Sequence, residues 1–142
     1  MSDRKLGVAA QIGVAFATYI AAEIVMVAAA YFWVFVYSMT IHTGGDQAYY
    51  EAYAQISSPV VAVLTAGPVF YVATRLLRRR WAEQAQRLAL YAASLNIVLV
   101  VLLIVSGDLN QLAYNVGAAI LATGAMFVGA WYGGRTDPAQ AT

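Results

Sequence analysis

Polar positions along this chain fall in clusters, and between the clusters lie four long apolar stretches, at about residues 6–39, 58–77, 88–105 and 112–132. An apolar run of about 18 residues or more, with little or no charge, is long enough to cross the ~30 Å hydrocarbon core of a bilayer as a helix. The pattern predicts an all-α fold: a polytopic membrane four-helix bundle with four transmembrane helices, forming a single domain over residues 1–142. The first stretch is the longest. Its 34 residues would make a helix of about 51 Å, so it must tilt or leave its first turns in the headgroup region. Its apolar run also exceeds the core of a secretion signal, and a retained signal anchor is the expectation.

Punctuation between the stretches sets the connections. Gly44-Gly45 is expected to end the first helix, and Asp46 to cap a short surface helix carrying Tyr49, Tyr50 and Tyr53 within an outer loop, residues 40–57. Ser57 or Ser58 is expected to cap the second span, which puts Pro59 in its first turn, where a missing N–H costs nothing. Pro68 follows Gly67 in mid-span and releases the carbonyl of Leu64, which predicts a kink. A basic loop at about residues 78–87 joins spans two and three, with Arg79, Glu83 and Arg87 spaced for pairing along one helical face. Ser106-Gly107-Asp108 forces spans three and four into an antiparallel hairpin. The tail, residues 135–142, reads as disordered.

Composition agrees with this pattern. Residues are 62% hydrophobic and 11% charged, where a soluble domain usually carries about 25% charged residues. There is no cysteine, which excludes disulfides, thiol chemistry and thiolate metal sites.

Charge then gives the orientation. All eight basic residues, Arg4, Lys5, Arg75, Arg78, Arg79, Arg80, Arg87 and Arg135, fall on one side of the four crossings. Asp46, Glu51, Asp108 and the lone His42 fall on the other. The positive-inside rule places both termini in the cytoplasm of a cell whose plasma membrane, most simply a bacterial inner membrane, holds the chain. Arg75, Arg78, Arg79, Arg80 and Arg87 are read as topology determinants. One short basic run between two spans does not support nucleic-acid binding, and the lipid bilayer is the expected partner.

Spans two and four align without a gap at an offset of 57 residues, Ala62–Phe70 against Ala119–Phe127, and Glu23–Val27 in span one matches Asn96–Val100 in span three. Such a match suggests two repeated helical hairpins about an axis along the membrane normal, with Glu23 and Asn96 at equivalent depth.

Glu23 is the one residue whose chemistry conflicts with its surroundings. It is an acid inside an apolar span, and no Lys or Arg occurs between Lys5 and Arg75 or between Arg87 and Arg135. An ionised carboxylate at mid-bilayer costs about 2.5–3.5 kcal/mol on insertion scales. Glu23 is therefore expected to face the bundle interior, either as the neutral acid or matched by a mobile cation. Tyr19, one turn back, and Asn96 are its expected hydrogen-bond partners. Thr65 and the kink at Pro68 lie near the same depth, so the expected proton, cation or ligand site is Glu23, Asn96, Tyr19, Thr65 and Pro68.

Small residues mark close helix packing. Ala118, Ala122, Ala125, Gly129 and Gly133 form a stripe on span four, with Gly129 and Gly133 as a GxxxG pair, and a second stripe carries Ala85, Ala89, Ala92 and Asn96. These faces serve packing within the bundle or an oligomer seam.

No phosphate loop, nucleophile elbow or HExxH motif is present, a single histidine cannot supply bis-histidine haem ligation, and no cofactor or metal is expected. Three functions remain. The leading one is a small proton- or cation-linked transporter or channel-like protein, oligomeric, with its carboxylate site at Glu23. The alternative is a non-catalytic accessory or scaffold subunit of a larger membrane complex, in which Glu23 and Asn96 hold helices together. A lipid-modifying enzyme using Glu23 and the outer tyrosines is the third.

Overall fold

The computed structural model describes residues 5–106 and 109–135. They form four helices: α1 Val8–Thr40, α2 Gln47–Arg80, α3 Ala85–Ser106 and α4 Leu109–Gly134. All four are long and apolar enough to cross a membrane. The expected disordered tail beyond residue 135 and the Gly107-Asp108 turn lie outside the described residues.

The helices form a four-cornered bundle. α1 packs on α2 and α3, and α4 packs on the same two, so among the described residues α1 and α4 sit across one diagonal with no close backbone approach. α2 and α4 share the most extensive interface, while α2 also approaches α3 across the other diagonal. The buried centre consists mostly of alanine, including Ala15, Ala22, Ala66, Ala89, Ala92 and Ala122, with Met26, Phe70 and Met126 as its bulky members. Small side chains let helix backbones approach closely, which maximises dispersion contact between them.

Large apolar side chains point the other way. Phe16, Ile24, Phe32, Leu64, Leu102 and Val105 are exposed, and only 17% of the most apolar window of α1 is buried. A soluble monomer rarely exposes contiguous apolar patches beyond a few hundred Å².

α2 departs from the sequence expectation. It begins about three turns before Ser57, at Gln47, because the Asp46 carboxylate accepts a hydrogen bond from the Tyr49 N–H at 2.9 Å and satisfies the first turn there. The expected short helix in the 40–57 loop is thus the start of α2, which leaves only residues 41–46 as a connection. Ser57 and Ser58 cap nothing. Pro59 and Pro68 both lie inside the helix, where proline φ is already helical and each ring removes one backbone bond.

The two ends of the bundle differ in chemistry. At one end, the tyrosines of early α2 do not lie apart on a surface but close on the end of α1. Tyr37 stacks on Tyr53 at 3.8 Å, and Trp33 donates its indole N–H to the Tyr53 hydroxyl at 2.9 Å. His42 packs on the Tyr49 ring at 4.4 Å, and the Tyr50 hydroxyl donates to the His42 carbonyl. The opposite, basic end carries Lys5 and the arginines. There α2 ends at Arg80 and a turn, residues 81–84, leads into α3. That turn breaks the helical spacing expected for Arg79, Glu83 and Arg87. Glu83 instead pairs with Lys5 at 3.5 Å, and Gln84 accepts the Leu6 N–H at 3.0 Å, tying the start of α1 to the α2–α3 turn.

Candidate functional site

Along α1 the residues Tyr19, Glu23, Met26 and Ala30 recur at helical spacing on one inward stripe, because positions three and four apart share a face. Their burial differs. Met26 and Ala30 are buried, while Tyr19 and Glu23 are partly open. On α3, Asn96 is buried at 2% exposure, and it faces Thr123 of α4, which is also buried.

These side chains form a polar seam across three helices. The Tyr19 hydroxyl donates to Asn96 Oδ1 at 3.1 Å. Asn96 Nδ2 donates to Thr123 Oγ1 at 2.9 Å and makes a longer bond, 3.5 Å, to the Ala119 carbonyl. Thr123 donates in turn to that carbonyl at 2.7 Å. Burying an amide in an alanine core is costly unless its donors and acceptor are matched, and here they are.

Glu23 stands at the edge of the seam. The Tyr19 hydroxyl, one turn back on α1, donates to Asn96 Oδ1 and the Asn96 N–H groups go to α4, so neither donates to Glu23 as the sequence leads one to expect. The carboxyl borders a cavity of about 220 Å³ to which every helix contributes. From the level of Glu23 and Asn96 the lining runs toward the aromatic end, by Leu99 and Leu103 on α3, Ala118 and Asn115 on α4, and Pro59 on α2. Toward the basic end the core is closed by Ala15, Phe70, Ala89, Ala92, Ala93 and Ala130, all buried. The site is therefore a one-sided pocket: apolar walls, one carboxyl and two amides. A liquid water takes about 30 Å³, so the space suits several waters or one small solute and falls short of the roughly 300–1,000 Å³ of drug-sized pockets.

Compared with family models, curated proteins and solved structures, the chain matches none.

Of the five expected site residues, the structure brings together Glu23, Tyr19 and Asn96. Thr65 and Pro68 lie elsewhere. The face of α2 turned to the cavity and core carries Pro59, Ala62, Ala66 and Phe70. Thr65 is off that stripe, bonds the Val61 carbonyl of its own helix at 2.7 Å and borders a separate groove with Trp33 and Tyr53. Pro68 is exposed and lines an outer groove against Ala21 and Val25 of α1. Asn115 and Thr123 were the residues missed. Both interrupt an apolar run, and with Ala119 they repeat every four positions on α4, which is the signal that would have found them.

The small stripe on α4 divides in two. Ala118 and Ala122 line the cavity, whereas Ala125, Gly129 and Gly133 meet α2. A Cβ added at Gly129 would fall 2.1 Å from the Gly67 carbonyl oxygen, and one at Gly133 would fall 2.7 Å from that of Tyr71. A Cβ at Gly67 would lie 3.4 Å from the Ala125 carbonyl. Glycine is needed at Gly129 and Gly133 for the helices to approach this closely.

Proposed function

We propose that the protein is a small integral membrane transporter or channel-like protein in which Glu23 binds a proton or cation in exchange with one side of the membrane. The observation that carries this reading is the placement of Glu23: a half-buried carboxyl on a cavity shared by four helices, rather than a packed acid within the core. No Lys or Arg lies between Lys5 and Arg75 or between Arg87 and Arg135, so at the depth of Glu23 it is a proton or a mobile cation that can neutralise the carboxylate.

The four apolar helices and their apolar outer faces support membrane insertion. The basic end is the cytoplasmic one by the positive-inside rule, in a bacterial inner membrane, so the cavity runs toward the outer face. The Tyr19–Asn96–Thr123 seam and the alanine core below it form the inner closure. Glu23 and Asn96 line one cavity, but α1 and α3, and α2 and α4, are neighbours, whereas a two-fold relating two repeated hairpins would make them diagonal pairs. The contact between α2 and α3 without a counterpart between α1 and α4 is a departure from such a two-fold.

An accessory subunit would need a free docking face. The Gly129–Gly133 stripe, its best candidate, is occupied by α2 of the same chain, and this favours transport. The test is flux in liposomes reconstituted with purified protein, under an imposed gradient of pH or of a cation. The parent chain is expected to dissipate the gradient, and Glu23→Gln, which keeps shape and neutral hydrogen bonding, to return it to the rate of empty liposomes. Equal flux from both proteins refutes coupling at Glu23.

A further inference from the structure

We infer that the gap between α2 and α4 is a lateral entrance to the Glu23 cavity, and that the solute using it is a small organic monocation with an apolar body. This rests on the reading of Glu23 as a transport site. The two helices touch at two levels and part between them. On the basic side Gly129 and Gly133 press on the backbone of Gly67 and Tyr71. Near the aromatic end the Tyr114 hydroxyl donates to the Ile56 carbonyl at 2.5 Å and bridges the pair. Between these contacts lies a groove of about 390 Å³, bordered by Val60 and Leu64 on α2 and by Gly117 and Leu121 on α4. Pro59 and Ala118 are walls of this groove and of the Glu23 cavity alike, so the two spaces adjoin. Gly117 opens the groove further: a Cβ there would meet nothing within 4 Å.

The chemistry of the route selects the solute. Val60, Leu64 and Leu121 are exposed on the outer surface, so the groove opens to whatever covers the apolar helices, which in a bilayer is hydrocarbon. A strongly hydrated inorganic ion does not shed its water along such walls, because nothing there replaces its shell. An anion gains nothing at a carboxylate. An amine or quaternary ammonium with an apolar body is compatible with both the walls and Glu23, and its arrival displaces one proton from the carboxyl.

The absence of cysteine from the chain permits a test that separates entry from folding. Gly117→Cys protein is purified, placed in lipid nanodiscs and mixed with benzyltrimethylammonium before and after reaction of the single thiol with benzyl methanethiosulfonate. Labelling is expected to slow association about tenfold or more while affinity stays within about threefold, and reduction with dithiothreitol to restore the rate. In Glu23→Gln the affinity is expected to fall by about thirtyfold or more, as for a desolvated ion pair that loses one partner. Unchanged association after labelling, with binding still dependent on Glu23, overturns the lateral entrance and leaves the carboxylate reading intact. Affinity unchanged in Glu23→Gln overturns that reading itself. If benzyltrimethylammonium does not bind while Glu23-dependent proton flux persists, the solute class is wrong. Should Gly117→Cys not fold, Tyr114→Phe, which removes the bridge at the aromatic end, is expected to speed association about threefold, and an unchanged rate overturns the entrance.

Discussion

Asn96 engages its whole side chain between helices, accepting a hydrogen bond from Tyr19 and donating to Thr123 and the Ala119 carbonyl. It therefore joins α1, α3 and α4 at the level where the cavity ends. Replacing it by alanine removes all three contacts and leaves the Tyr19 hydroxyl without its acceptor. Interhelical bonds in apolar surroundings contribute about 1 kcal/mol each, so Asn96→Ala is expected to destabilise the bundle by about 1–2 kcal/mol. Reversible unfolding in mixed micelles measures this, and parental stability would show that the seam holds nothing. The same residue shows how far a sequence can be read at this scale. Depth along a helix follows from counting residues between charged ends, and Glu23, Asn96, Thr65 and Pro68 were all placed near mid-span that way. Rotation about the helix axis is set by packing against neighbours, which counting cannot supply. Thr65 and Pro68 were thus assigned to a site that their helix turns away from.

α2 and α4 meet through glycine on the basic side and part on the other, and the same pair of helices thereby provides both closure and gap. Gly129→Ala forces a methyl into the Gly67 carbonyl and is expected to cost about 1–3 kcal/mol, typical of overpacking. Gly124→Ala is the control, since open space surrounds its added Cβ. Its stability should change by no more than about 0.5 kcal/mol or rise slightly from better helix propensity. Comparable losses in both variants, read by the same unfolding assay, would contradict the packing account. The start of α2 was hidden for a physical reason. Ser57, Ser58 and Pro59 together carry the signature of a helix N-terminus, yet Asp46 offers an equally good cap upstream. The tyrosine contacts with α1 then stabilise the additional turns, and such tertiary contacts override local punctuation.

At the scale of the molecule, small residues inside and large apolar ones outside make a bundle whose exterior suits hydrocarbon, with a basic end and an aromatic end. The four helices could be read from the sequence because charge, Glu23 apart, is confined to the ends of the apolar stretches and the segments between them, and the alanine stripes foretold close packing. The cavity could not, because it arises where four inner faces fail to meet, and no single helix records that gap. On the proposed reading, Glu23 is open to the outer side and sealed from the inner one. The most direct test is an infrared titration of the reconstituted protein, following the C=O absorption of protonated carboxylic acid as external pH is stepped. The account predicts a pH-dependent band that is present in the parent chain and missing from Glu23→Gln. Identical difference spectra for the two proteins would show that Glu23 does not exchange its proton with that side, and the proposed role would fall.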